Sequence, residues 1–362
     1  MANLQNIRRR IRSVKSIQKI TNAMDMIARS RFNAAKDTLL SNIPYVDKTR
    51  DIIRRIMSQM PPDEESPFVM SRQELINAQT RTDGKFLFLV IAADKGLAGA
   101  YSSNLIKEAH ATIEYDGTKP EESEAAKDNE ENFHKKNFDA VKLSQHPDGD
   151  QLKAQRGMAR AGSRRTANAN KVNVAQEYHD ADYVEDVELI TIGRKATSHF
   201  KQRGYKIIKS YNGISERPNY QYAKEIADLI IERFMTGDII DVTMVYTRFN
   251  SAISCTPDDV TLLPLVTDDY PPLNNSKEEY IYEPDVVTVL NKFLPRRIAT
   301  RIYGAMLHSA AAELSSRMNA MSNATDNAQE LVGKLNLYYN KVRQAGITNE
   351  INEIVGGANA LE

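Results

Sequence analysis

The sequence predicts an α/β domain carried between two long helices, one at each end of the chain. Three observations support this. Apolar residues recur every third or fourth position from Leu4 to Ile27, the stretch after Pro295 holds no further proline, and between these ends apolar runs of strand length alternate with helical periodicity.

The first helix rests on Leu4, Ile7, Ile11, Val14, Ile17, Ile20, Met24 and Ile27, whose spacing keeps them on one stripe. No proline precedes Pro44, so about 40 residues at about 1.5 Å each give a helix of about 60 Å. It resumes through Ile52, Ile53, Ile56 and Met57 as far as Pro61-Pro62. Phe86 to Ala93 is apolar on both faces, the pattern of a strand covered by helices on each side. A glycine-containing turn, Asp94 to Tyr101, follows, and Ser102 or Ser103 can cap a helix over Asn104 to Ile113.

Strand Val187 to Ile192, helix Arg194 to Arg203, strand Tyr205 to Ser210, helix Tyr220 to Met235 and strand Ile239 to Thr247 then alternate, which predicts a parallel sheet. From Arg296 to Leu361 the apolar positions Ile298, Ile302, Met306, Leu314, Met321, Ala328, Leu331, Leu335, Tyr338, Val342, Ile351, Ile354 and Val355 mark a helix of about 90 Å. Helices this long pack along one another as a coiled coil or bury one face in a bundle; their periodicity alone does not choose. The small residues Ala310, Ala311, Ala312, Ser315 and Ser316 suggest a narrow rod enclosed by other subunits.

Five segments follow: an N-terminal helix over 1–60, the first part of the α/β domain over 61–111, a charged insertion over 112–186, the second part of the domain over 187–284 and a C-terminal helix over 285–362. Within the insertion, residues 114–150 hold eleven acidic and five basic side chains, whereas 151–174 hold six basic and no acidic ones. So few apolar residues cannot offset the entropy of ordering, and a solvated excursion or a regulatory tether with its basic block at Lys153 to Lys171 is expected.

Composition narrows the function. The 48 basic and 48 acidic side chains balance globally but not locally, since Arg8, Arg9, Arg10, Arg12, Lys15 and Lys19 all precede the first acidic residue, Asp25. A single cysteine, Cys255, supports neither a disulfide framework nor a cysteine metal cage and suggests a reducing compartment. The longest apolar run is far short of the roughly 20 residues that cross a bilayer. Gly96 and Gly99 fit neither the dinucleotide fingerprint nor the P-loop, so a close-approach turn is favoured over a nucleotide loop. His134, His146 and His179 have no ligand spacing, His308 sits on the long helix, and no catalytic motif occurs; no catalytic residue, cofactor or metal is expected. The arginine-rich start resembles a nucleic-acid-binding helix or a transit peptide, but its apolar stripe runs on unbroken and lacks interleaved aromatics.

The segment Ile347 to Ala360, ITNEINEIVGGANA, resembles the signature of the gamma subunits of F-type ATP synthases. Arg8 to Ala28, Ala93 to Asn104, Ile192 to Ala196, Phe249 to Ser254, Tyr280 to Asp285 and Ala324 to Ala345 resemble other parts of that family in order, with only residues 112–186 outside. The resemblance implies an antiparallel coiled coil of the termini with a Rossmann-like α/β domain outside it. It implies a rotor shaft inside a hexamer of alpha and beta subunits, standing on a membrane ring of c subunits beside epsilon, with ATP chemistry left to the hexamer.

It further implies that Arg8, Arg9, Lys19 and Met24 face the beta subunits, that Arg343, Gln344, Thr348 and Glu350 make polar contacts to a beta subunit, and that Tyr280, Tyr282 and Glu283 touch the c ring. No nucleic acid is implied, and attachment to the cytoplasmic face of a bacterial cell membrane is through the complex alone. The two cysteines of the chloroplast members' insertion have no counterpart in 112–186, and Ala98 stands where many relatives have cysteine. Rival readings are a non-rotary coiled-coil scaffold, expected to form a homodimer alone, and a nucleotide-binding enzyme, expected to bind ATP or NAD saturably.

Overall fold

The computed structural model describes residues 2–60, 66–79, 85–117, 186–267, 270 and 280–359. Most of the 112–186 insertion, with its basic block and three histidines, lies outside the described residues, as does Pro61-Pro62. The chain runs α1 (Ala2–Ser58), β1 (Val69–Met70), α2 (Arg72–Gln79), β2 (Lys85–Ile91), α3 (Tyr101–Gly117), β3 (Val187–Ile192), α4 (Arg194–Gln202), β4 (Lys206–Tyr211), α5 (Tyr220–Met235), β5 (Ile239–Phe249), β6 (Cys255–Leu263), β7 (Leu265–Val266) and α6 (Val286–Asn359).

Two prolines expected to bound the helical runs lie inside them. Pro44 is within α1, and Pro295 is within α6, which starts at Val286 at the head of the 285–362 segment. A proline forfeits one helical bond, and packing on both sides offsets the loss. Leu39 precedes Pro44 and Ile53 follows it, all buried but the proline itself; Leu290, Leu294 and Ile298 do the same around Pro295.

Five strands form one sheet in the order β4-β3-β2-β5-β6. The first four pair in parallel, as the alternation of strand and helix requires, and β6 adds an antiparallel edge. Pro257, Asp258 and Asp259 hid β6 from sequence reading, and an edge strand tolerates all three. The small β1–β7 pair and α2 were also not read in advance.

The sheet divides two apolar cores. On one face Phe88, Val90, Leu105, Ala109, Ala196 and Phe200 pack under α3 and α4. On the other, Leu87, Leu89 and Ile91 meet α5 together with Ile53 and Ile56 of α1 and Leu290, Leu294, Ile298 and Ile302 of α6. The lower parts of the long helices thus form one layer of the domain, so rod and domain share a core.

Side chains tie the outer layer as well. Arg203 Nη1 donates to His199 Nδ1 at 3.0 Å, which assigns the His199 proton to Nε2, where it donates to His110 Nε2 at 2.9 Å. Burial, with His199 beside it, pushes His110 down to about 4.

His308 of α6 accepts the Phe249 backbone N–H at 3.4 Å, and burial, aided by Arg248, pushes its pKa from 6.5 to about 4. The unfolded chain therefore binds more protons between those values. This histidine's stabilisation is fully present above pH 6.5 and is lost as pH falls toward 4. Between pH 7 and 5 the loss is up to about 2 kcal/mol. A His308→Gln variant should lose correspondingly less over that interval, read as the shift in denaturant midpoint; an identical pH slope in both chains contradicts the assignment.

Candidate functional site

The rod is an antiparallel pair of α1 and α6, and its register is read from side chains that bridge the seam. Arg8 Nη2 donates to the Tyr339 hydroxyl, Gln18 Nε2 to Gln329 Oε1 at 3.3 Å, and Thr325 Oγ1 to Thr21 Oγ1 at 2.8 Å. Lower down, Arg296 Nε donates to the Tyr45 hydroxyl at 3.2 Å.

Seam residues follow alternating steps of four and three: Ile7, Ile11, Val14, Gln18, Thr21, Asp25, Ala28, Phe32, Ala35 and Leu39 on α1, none of them fully exposed. Leu307, Ala311, Leu314, Met318, Met321, Thr325, Ala328, Val332, Leu335, Tyr339 and Val342 do the same on α6. That is the heptad pattern of a coiled coil.

The expected stripe on α1 departs from this seam. Consecutive steps of three carry Ile17 and Ile20 around the helix by about 60° each, out of the contact. Ile17 is 50% exposed, Ile20 56% and Ile27 55%, while polar Gln18, Thr21 and Asp25 take the seam positions. The upper rod therefore carries isoleucines outside and amides and hydroxyls inside. By the same register Ala2 lies level with residues near Ala345, and the last turns of α6 extend beyond that level. There Ile347, Ile351, Ile354 and Val355 share one face and are each about half exposed or more.

The candidate contact residues separate into two zones. Arg8, Arg9, Lys19 and Met24 of α1, with Arg343, Gln344 and Thr348 of α6, are exposed on the upper rod; Glu350 is on the same helix, and its side chain is outside the described ones. Tyr280 and Glu283 are exposed at the foot, where the Arg55 guanidinium stacks 4.8 Å over the Tyr280 ring. Tyr282 packs against the domain's own core, with burial raising its hydroxyl pKa, so it is less available than its neighbours. The fully exposed side chain there is Ile281, at 92%, which sequence reading did not single out. Arg8 and Arg55 are 47 residues apart on one helix, about 70 Å at about 1.5 Å per residue.

The small residues of α6 serve this chain itself. Ala312 packs on Ala93, Ala98 and Tyr101, and Ala311 on Leu39. Ser309 Oγ accepts the Thr247 N–H at 3.3 Å, and Ser315 Oγ donates to the Ala252 carbonyl at 2.6 Å. They let the carboxyl edge of the sheet approach the helix, so along this stretch the rod is covered by the chain's own domain.

An ionic clasp unseen in the sequence joins this edge to both rod helices. Glu216 binds Lys95 at 3.1 Å, Arg31 of α1, and Arg317 of α6 at 3.1 Å, and Arg317 also binds Glu313 at 2.6 Å. Burial drives the Glu313 pKa up against the opposing pull of Arg317. Beside the clasp, Asp94 accepts the backbone N–H groups of Arg194, Gly213 and Ser215. Burial raises its pKa, but those bonds outweigh it and hold the carboxyl below its ordinary value. These N–H groups sit where an open α/β sheet receives a phosphate. A carboxylate of the chain already takes them.

Among the described residues no helix is long and apolar enough to cross a membrane, and no group of three or more metal-ligating side chains occurs. The family model described as ATP synthase matches residues 3–142 and 152–361, so much of the charged insertion falls inside the family pattern. The ATP synthase gamma chain of Halothermothrix orenii is 33% identical over 369 aligned residues, and that of Desulfitobacterium hafniense 30% over 362, each covering 100% of both chains. A chain in the OSCP/F1/c-ring structure of the Euglena gracilis mitochondrial ATP synthase shares the fold at a TM-score of 0.56 and 15% identity, over 99% of this chain and 95% of that one. With rod, sheet domain and sequence in agreement along its whole length, the chain belongs to the ATP synthase gamma-chain family.

Proposed function

We propose that the chain is the central-stalk rotor of an F-type ATP synthase, carrying rotation of a membrane c ring through its rod into a catalytic alpha/beta hexamer. The observation that carries this reading is the upper rod: a heptad seam closed by polar pairs, with Ile17, Ile20, Ile27, Ile347, Ile351 and Ile354 turned outward. Apolar surface of this extent is a liability in water and an asset inside a sleeve of other subunits.

In this reading Arg8, Arg9, Lys19 and Met24, with Arg343, Gln344, Thr348 and Glu350, meet the beta subunits. Tyr280, Glu283 and to a lesser degree Tyr282 meet the c ring, with epsilon beside them. The chain holds no catalytic residue or cofactor; it acts by contacting different states of the hexamer unequally, which shifts their populations. Exposed charge pairs are worth about 0.2 to 1 kcal/mol, weak enough to re-form at every step. The chain is peripheral to the membrane, on the cytoplasmic face in a bacterial cell, and is held there only through the complex. For the charged insertion the reading is a regulatory one, argued from its position alone: deletion of residues 116–184 should raise ATP hydrolysis, and unchanged activity and inhibition would leave it a passive excursion.

Co-expression with alpha and beta subunits, purified through a tag on beta, tests the proposal. One copy per hexamer should co-purify, with ATPase activity that depends on it. Removing residues 344–362 should lower activity several-fold while retaining the chain, because the remaining rod still lies in the sleeve. Absence of any complex would favour the scaffold reading.

A further inference from the structure

We propose that Glu216 and the turn at Ala252 form a collar that fixes the angle of the rod relative to the sheet domain, with Glu216, Ser315 and Asn319 as positioning residues for torque transfer; the proposal rests on the rotor reading above. The carboxyl edge of the sheet holds α6 from two sides. On one, Arg317 reaches Glu216 at 3.1 Å and the Gly96 carbonyl at 3.4 Å. On the other, Ser315 Oγ and Asn319 Nδ2 donate to the Ala252 carbonyl at 2.6 and 2.7 Å. Residues two apart on a helix point about 200° away from each other, so Ser315 and Asn319 face nearly opposite to Arg317. Arg31 brings α1 into the same grip, since it also binds Glu216 and by the seam register lies level with residues near Ser315.

Both jaws are braced. Asp94 accepts the Gly213 and Ser215 backbone N–H groups at 2.8 and 3.1 Å, which fixes the segment leading to Glu216, and Lys95 holds Glu216 at 3.1 Å. Burial raises the Glu216 pKa, but Lys95, Arg317 and Arg31 outweigh it and hold the carboxyl below its ordinary value, so this jaw stays charged at neutral pH. The opposite jaw is a closed turn: Asn250 and Ser251 donate backbone N–H bonds to the Ser254 carbonyl at 3.1 and 3.0 Å, and Ser251 Oγ accepts the Ser254 N–H at 3.1 Å.

Directional bonds are what this level adds. Below it the rod shares an apolar core with the sheet, and at it the Phe32 and Phe249 rings lie 5.6 Å apart. Apolar burial centres the rod but is non-directional, whereas hydrogen bonds and ion pairs weaken steeply when their geometry turns. Two such ties on opposite sides of a helix act as a couple against rotation. Above the collar the bonds Thr21–Thr325, Gln18–Gln329 and Arg8–Tyr339 join the two helices to each other. Rotation of the foot is therefore handed to the rod at Glu216 and Ala252, and twist accumulates above them.

The test fixes the complex to a surface through tags on beta and follows a probe at Lys201→Cys on α4, in a Cys255→Ser background. When ATP is limiting the hexamer holds the upper rod still between steps, and the variance of the probe angle in each pause measures twist between hexamer and foot. Glu216→Gln opens one jaw and Ser315→Ala/Asn319→Ala the other, and each should raise that variance at least twofold, with hydrolysis at saturating ATP unchanged. Glu225→Gln, which breaks the Lys209 pair between β4 and α5, is the control and should leave the variance as it is. Unchanged variance in either jaw variant overturns the collar, as does an equal rise in Glu225→Gln, since the whole domain would then have loosened. A wild-type probe that does not rotate overturns the rotor reading itself, and the collar with it.

Discussion

Gly193→Ala is expected to prevent accumulation of folded chain, or to lower its melting temperature by about 10 °C or more. Gly193 ends β3 at a φ of +92°, and its N–H donates to the Tyr211 carbonyl at 2.8 Å while β2 passes alongside. A Cβ there would lie 2.2 Å from the Ala92 carbonyl oxygen and 2.7 Å from its carbon, both backbone atoms that cannot turn away. Relief would require the central strand of the sheet to move, breaking both apolar cores. Such a displacement, added to left-handed strain, exceeds about 4 kcal/mol, equivalent to about 10 °C in a chain of this size. Gly204→Ala is the control: its φ is +82° with open space around the added carbon, so strain alone remains, about 1 to 2 kcal/mol. Equal melting of the two variants would contradict the close-approach argument.

Arg317→Leu should be the other severe change, at about 3 to 5 kcal/mol. The substitution strands the Glu313 carboxylate, whose side chain is 1% exposed and whose Oε2 already lacks a partner, and it frees Glu216 from its tie to α6. Without Arg317 the burial that already raises the Glu313 pKa acts with less to oppose it, so the folded chain holds its carboxyl protonated more strongly than the unfolded chain does, and the loss should grow as pH rises. Replacing both partners, Glu313→Leu with Arg317→Leu, should recover most of the stability, because the desolvated charge goes with its partner. Thermal denaturation of the single and double variants decides it. A double variant as unstable as the single one would mean that packing, not the stranded charge, sets the penalty.

Strands β2, β3 and β5 were legible in sequence because they are buried on both faces, whereas β4, largely exposed, was marked by the alternation of strand and helix around it. Val187–Ile192 and Tyr220–Met235 fall where periodicity placed them, and the neighbouring elements shift by a few residues. Edge strand β6 was not legible, since a half-exposed strand bearing Pro257, Asp258 and Asp259 has a turn's composition. The rod was legible as two helices but not as a seam. Ile17, Ile20 and Ile27 look like the buried stripe, and only the heptad register shows that Gln18, Thr21 and Asp25 take those places. The clasp was illegible for a different reason: it assembles residues far apart in the chain, and nothing local in Arg31, Glu216 or Arg317 marks them as partners.

The central claim is that this chain turns as one body inside the hexamer, and direct observation of rotation tests it. The complex would be fixed to a surface through tags on beta, with a visible probe attached at Lys201→Cys, exposed on the outer helix layer of the foot, in a Cys255→Ser background. The account predicts that ATP drives rotation of the probe in one direction with three pauses per turn, one for each beta subunit. A probe that stays fixed on a complex that hydrolyses ATP and retains the chain would contradict it.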